Sequence, residues 1–202
     1  MKRITKIVVA GAGAAAVLVA GAGVADAYSQ KHRFEMVRTE GVDCLPEATA
    51  TVTIRELGPV ELMTVKAKGL PADTEFDLFV TQIPNAPFGL SWYQGDMETD
   101  SRGRATGRFL GRFNEETFSV APAEVPAPVV HDDGQFADAD VNPRTAPVHQ
   151  FHLGLWFNSP EDAAAAGCPD ITTPFNGEHD AGVQILNTGT FPDEAGPLSE
   201  IG

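Results

Sequence analysis

Ala50-Thr51-Val52-Thr53-Ile54-Arg55 is the stretch on which the fold turns. Apolar Ala50, Val52 and Ile54 alternate with Thr51, Thr53 and Arg55, and a period of two rich in β-branched residues marks a strand buried on one face. Gly58-Pro59 turns the chain into a second alternating run, where Met63, Val65 and Ala67 interleave with Thr64, Lys66 and Lys68. Gly69-Leu70-Pro71-Ala72-Asp73 breaks that run. Glu75–Ile83 follows with Phe76, Leu78 and Val80 on one face, and Leu90–Glu98 reads as a less regular strand.

Working outward, Met97–Phe113 reads as a hairpin around Asp100-Ser101-Arg102-Gly103. Beyond the turn, Ala105, Gly107, Phe109, Gly111 and Phe113 share one face, while Arg104, Arg108 and Arg112 share the other. Ala121–Pro147 is the longest irregular stretch and is Pro-rich, and Val148–Phe157 reads as a strand. Ser159-Pro160-Glu161-Asp162 before four alanines is a short capped helix, with Ser at the N-cap and Pro in the first turn. Ala181–Asn187 reads as a last strand, residues 28–48 as a polar lead-in, and the tail after Thr190 has no period. The pattern predicts an all-β domain: a single immunoglobulin-like or jelly-roll-type β-sandwich of about 7–8 strands with one short helix.

The start of the chain is an address. Lys2, Arg3 and Lys6 precede an apolar run from Ile7 to Ala25 that ends in Ala25-Asp26-Ala27, the three parts of a secretory signal peptide. Cleavage after Ala27 leaves 28–202 as one secreted domain, free in the medium or held in the cell envelope. Gly11-Ala12-Gly13-Ala14-Ala15-Ala16 matches a dinucleotide fingerprint, but no βαβ unit follows to give it meaning. Cys44 and Cys168 are the two cysteines, and in an oxidising compartment such a pair is expected to form one disulfide.

Charge narrows the partners. The 202 residues carry 14 Lys+Arg against 28 Asp+Glu, so a nucleic-acid partner is not expected, and neither is contact with an anionic membrane after cleavage. The imbalance is uneven. Residues 28–112 hold 10 basic and 12 acidic side chains, whereas 113–202 hold Arg144 against 15 acidic ones.

Two groups of segments resemble a family of secreted bacterial proteins of uncharacterised function. One runs from Gly69-Leu70-Pro71 through Glu75-Phe76-Asp77-Leu78-Phe79-Val80 to Ala86-Pro87-Phe88-Gly89-Leu90-Ser91-Trp92-Tyr93-Gln94-Gly95. The other joins Phe151-His152-Leu153-Gly154-Leu155-Trp156-Phe157-Asn158-Ser159 to Pro174-Phe175-Asn176-Gly177-Glu178-His179. The likeness extends over nearly all of the mature chain and implies a β-sandwich-like exported domain, with no activity and no catalytic residues attached.

Candidate sites are each weighed against a plain structural role. His149, His152 and His179, flanked by Glu178 and Asp180, have the donor types for zinc or copper, although strand spacing puts His149 and His152 on opposite faces. Asp132, Asp133, Asp138 and Asp140 offer oxygen ligands to calcium without the EF-hand spacing. Trp92, Tyr93 and Trp156 could form an aromatic platform for a ligand, or simply core. The arginine row could hold a carboxylate or sulfate, or pair across the hairpin with Asp96, Glu98 and Asp100. No nucleophile motif stands in its proper context. The leading expectation is a non-enzymatic secreted or envelope domain that binds an extracellular partner and needs no cofactor. The alternative is a metal-binding extracellular protein, a hydrolase among the options, built on the His, Asp and Glu clusters of the second half.

Overall fold

The computed structural model describes residues 31–89, 91–113, 150–174 and 180–201. Residues 1–27, read above as a signal peptide, and the calcium candidates Asp132, Asp133, Asp138 and Asp140 lie outside them.

The fold is all-β. Its strands are β1 (Lys31–Arg38), β2 (Thr49–Glu56), β3 (Glu61–Lys68), β4 (Glu75–Thr81), β5 (Ser91–Glu98), β6 (Ala105–Gly111), β7 (His152–Phe157) and β8 (Gln184–Asn187), and the helix α1 is Pro160–Ala165. All eight strands join one antiparallel sheet in the order β5-β4-β7-β8-β1-β2-β3-β6. Two separate sandwich sheets were expected; a single rolled, nearly barrel-shaped sheet is found. The reason lies in β1, which pairs with β2 through Lys31–Met36 and with β8 through Val37 and Arg38, so it belongs to both layers. The polar lead-in of the sequence is therefore the hinge strand of the sheet.

The second difference is the Met97–Phe113 hairpin. Strand β5 pairs with β4 and β6 pairs with β3, so the turn at Asp100–Gly103 crosses between layers instead of joining partners. The turn is held from both sides. Gly103 N–H donates to Asp100 O at 2.9 Å, and Leu70 N–H donates to Gly103 O at 3.2 Å. Gly103 sits at φ +67°, and a Cβ there would lie 1.9 Å from Leu70 O, so no other residue fits. Side chains fill the seam between β5 and β6, with the Phe109 ring against Gly95 and Gly107.

Inside the roll, alternate residues of both layers make the core. Val52, Ile54, Met63 and Val65 come from the alternation that the opening stretch announces, and Phe76, Leu78, Leu153 and Leu155 face them. A bulge in β5 keeps this phase. Leu78 opposes Gly95 and Phe79 opposes Tyr93, so Gln94 is extra, and both Trp92 and Met97 still face the core. A 3-10 helix, Pro197–Glu200, buries Leu198, and Ile201 is buried just after it, which gives the aperiodic tail a packing role.

Helix α1 forms where expected. Ser159 caps it by accepting from Asp162 N–H at 3.1 Å, Pro160 opens it, and Glu161 and Asp162 favour its positive end. It leads to Cys168, which is bonded to Cys44 as the cysteine count predicts.

Candidate binding face

His152 is a core histidine. Its side chain is fully buried, with Nε2 3.1 Å from Asp193 O and Nδ1 2.9 Å from the Thr188 hydroxyl. A carbonyl only accepts, so Nε2 carries the proton and Nδ1 accepts from Thr188. Both nitrogens are thus occupied, and burial holds the imidazole pKa below its ordinary value despite the opposing pull of the Asp193 backbone bond. The ring has no lone pair left for a metal. Asp180 is exposed, while His149, His179 and Glu178 lie outside the described residues. Among the described residues no three His, Cys, Asp or Glu side chains gather as a metal group would require.

The aromatic trio divides between the two faces of the sheet. Trp92 packs against the main core. Tyr93 and Trp156 lie on the outer side of β4, β5 and β7, joined through Phe79, whose ring centroid is 5.6 Å from Tyr93 and 5.2 Å from Trp156. Phe88 closes over Trp156 at 5.1 Å, leaving the indole 3% exposed. Phe79 and Trp156 with Ala181 make a small second core on which Phe88 packs, and Tyr93 stays exposed at its edge against Phe79. The Tyr93 hydroxyl donates to Asp96. Burial first, then that bond and the charges of Asp96, Asp77 and Glu75, push the phenol well above its usual range.

The arginines separate as well. Arg104 donates from Nε and Nη2 to Asp100 Oδ2 at 3.2 and 2.9 Å, which holds the Asp100 carboxyl below the usual carboxylate range. Arg112 reaches Glu61 at 3.4 Å, and the buried Glu61 also accepts from Phe113 N–H at 2.9 Å, tying the end of β6 to the start of β3. Asp96 and Glu98 pair with β4 instead, because β5 does not lie beside β6. Arg108 makes no ion pair among the described residues.

What sequence reasoning missed is the grid that β2 and β3 add to this row. On the outer face of β1-β2-β3-β6 the register aligns Glu35, Thr51, Lys66 and Thr106 in one cross-strand line, and Arg33, Thr53, Thr64 and Arg108 in the next. Lys31 and Arg55 begin a third line, and Thr49 faces Lys68 in a fourth. Thr49, Thr51, Lys66, Lys68, Arg104 and Thr106 line a groove of ≈ 470 Å³. Lys66 and Lys68 are exposed and make no ion pair among the described residues. A signal was available: a tight turn at Gly58-Pro59 places Thr51 and Thr53 opposite Lys66 and Thr64. The pairing of β6 with β3, which brings the arginines to the lysines, was not legible locally.

Comparison with protein families and with curated proteins returns no match to this chain. Among the described residues no helix is long and apolar enough to cross a membrane.

Proposed function

We propose that this protein is an exported, non-enzymatic binding domain that acts outside the cell or in its envelope. One observation carries the reading: the exposed polar groups that the fold aligns form a cationic and hydroxyl-bearing grid on a sheet face. The buried polar groups, by contrast, serve the frame. His152 fastens the C-terminal segment, Glu61 fastens β6, and Asn187 bonds to Pro84 O and Asn85 Oδ1 to hold the 82–89 loop. A rigid sheet presenting aligned donors suits recognition, because little conformational entropy is lost when a partner docks. The charged start of the chain, the Ala25-Asp26-Ala27 site and the Cys44–Cys168 bond support export.

The test is to express the full chain, determine the intact mass of the exported protein, and measure its co-sedimentation with isolated cell envelope. A start at Tyr28 and saturable envelope binding are expected. Retention in the cell with Met1 in place, or no saturable binding, would overturn the proposal.

A further inference from the structure

We infer that the β2-β3-β6 face is a docking surface for a linear acidic polysaccharide, one bearing carboxylate or sulfate groups along a hydroxyl-rich chain. The inference deepens the binding reading and rests on it.

Charge complementarity is the first argument. The chain as a whole carries a formal charge of −14. On the outer face of β1-β2-β3-β6, Lys31, Arg33, Arg55, Lys66, Lys68 and Arg108 face outward with Glu35 as the acid within the strands. Arg104 joins them at the groove, where Asp100 is also a lining residue and fixes the guanidinium by accepting from Nε and Nη2 at Oδ2. Lys66, Lys68 and Arg108 keep their charge uncompensated by any ion pair among the described residues. At physiological salt the screening length is about 8 Å, so a ligand on this face feels the local cations and little of the acid elsewhere.

Geometry and chemistry select the polymer. Lys66 and Lys68 lie two residues apart on one strand, about 7 Å, and neighbouring strands are about 5 Å apart. Thr49 and Thr106 stand beside these cations in the groove, while the Thr51 hydroxyl donates to Glu35 at 2.8 Å. A ligand that uses both groups carries oxyanions and hydroxyls in alternation, as an acidic polysaccharide does and an inorganic polyphosphate does not. Among the described residues no aromatic side chain lines the groove, so the stacking platform that single-stranded nucleic acid uses is not found there.

The experiment measures binding of the exported protein to heparin and to polygalacturonate, with neutral dextran, polyphosphate and single-stranded DNA alongside. Binding to one or both acidic polysaccharides that weakens with salt, and no binding to dextran, is expected. Lys66→Glu/Lys68→Glu should weaken it about tenfold or more and flatten the salt dependence. Lys66→Gln/Lys68→Gln should give a smaller loss, and Arg38→Glu, off the face, less than about twofold. Unchanged melting temperatures certify that the variants are folded. Polyphosphate or DNA bound as tightly as the polysaccharides, no polysaccharide binding, or indifference to the lysine reversals would overturn the inference. Envelope binding that survives those reversals would leave the broader reading standing and place the partner elsewhere.

Discussion

Removing the Cys44–Cys168 bond provides a quantitative test of how the fold is held. The two cysteines are 124 residues apart in sequence, so the bond closes more than half of the chain into one loop. In the chain-entropy treatment, releasing a loop of that length returns about 16 cal/mol/K to the unfolded ensemble, or about 5 kcal/mol at 25 °C. Domains of this size unfold in heat with an entropy that turns this into a drop of roughly 10–20 °C in Tm. Cys44→Ala/Cys168→Ala is the clean perturbation, because neither side chain has another covalent role. Cys168 is 8% exposed, so losing its sulfur adds a small packing cost to the same side of the balance. Urea unfolding followed by tryptophan fluorescence gives both the stability and the slope. Chemically reduced native protein should match the double variant within about 1 kcal/mol, since the two share an unconstrained unfolded state. A loss below about 2 kcal/mol would refute the argument, and so would a native chain whose stability is untouched by reductant.

Three further predictions follow from single residues. Gly103→Ala should destabilise by roughly 2–4 kcal/mol, because its Cβ would meet Leu70 O at 1.9 Å, whereas Gly58→Ala, with nothing within 4 Å, should cost only about 1 kcal/mol for its positive φ; equal losses in denaturant unfolding would contradict this. His152 has a folded pKa below the ordinary histidine value, so the unfolded chain takes up a proton that the folded chain resists. Its contribution to stability is full above about pH 6.5, falls as pH drops toward the folded pKa and then levels off. His152→Gln should flatten that limb of the stability profile while lowering its overall height; a parallel profile would refute the assignment. Asn187→Ala should cost roughly 1–3 kcal/mol by orphaning the Gly189 N–H and taking the donors from Asn85 Oδ1 and one of the two from Pro84 O, which keeps Gln184, and should speed proteolytic cutting within 82–89; unchanged stability and cutting would count against the network.

How far the fold is legible depends on whether the deciding interaction is local. The alternation at Ala50–Arg55 and Met63–Lys68, the break at Gly58-Pro59 and the Ser159 cap each act over a few residues, so β2, β3 and α1 stand where the sequence puts them. The disulfide followed from a count of two cysteines. Strand β1 was hidden because its eight residues bury only Phe34 and Met36 while charged residues face outward. The partner of β6 was hidden for a different reason: a turn rich in Asp, Ser and Gly looks alike whether the next strand returns beside the first or crosses to another layer. That ambiguity propagated to the site. With β6 beside β5, its arginines would have met Asp96 and Glu98; beside β3, Arg108 faces Thr64 next to the Thr106–Lys66 pair and Arg104 shares the groove with Lys66 and Lys68, while Asp100 and Glu61 hold Arg104 and Arg112. The aromatic trio is divided because neighbouring Trp92 and Tyr93 on one strand point to opposite faces, and the bulge at Gln94, which leaves no mark in the sequence, decides that Trp92 is the inward one.

The central claim is that this chain works by presenting its β2-β3-β6 face to an anionic partner. Backbone amide resonances of the isotope-labelled, disulfide-bonded protein, followed during titration with a heparin hexasaccharide, address it most directly. The account predicts saturable shifts centred on Thr49, Thr51, Lys66, Lys68, Arg104 and Thr106, with the amides of Phe79, Tyr93 and Trp156 unmoved. Shifts centred on β4, β5 and β7, or none at all at saturating ligand, would contradict it.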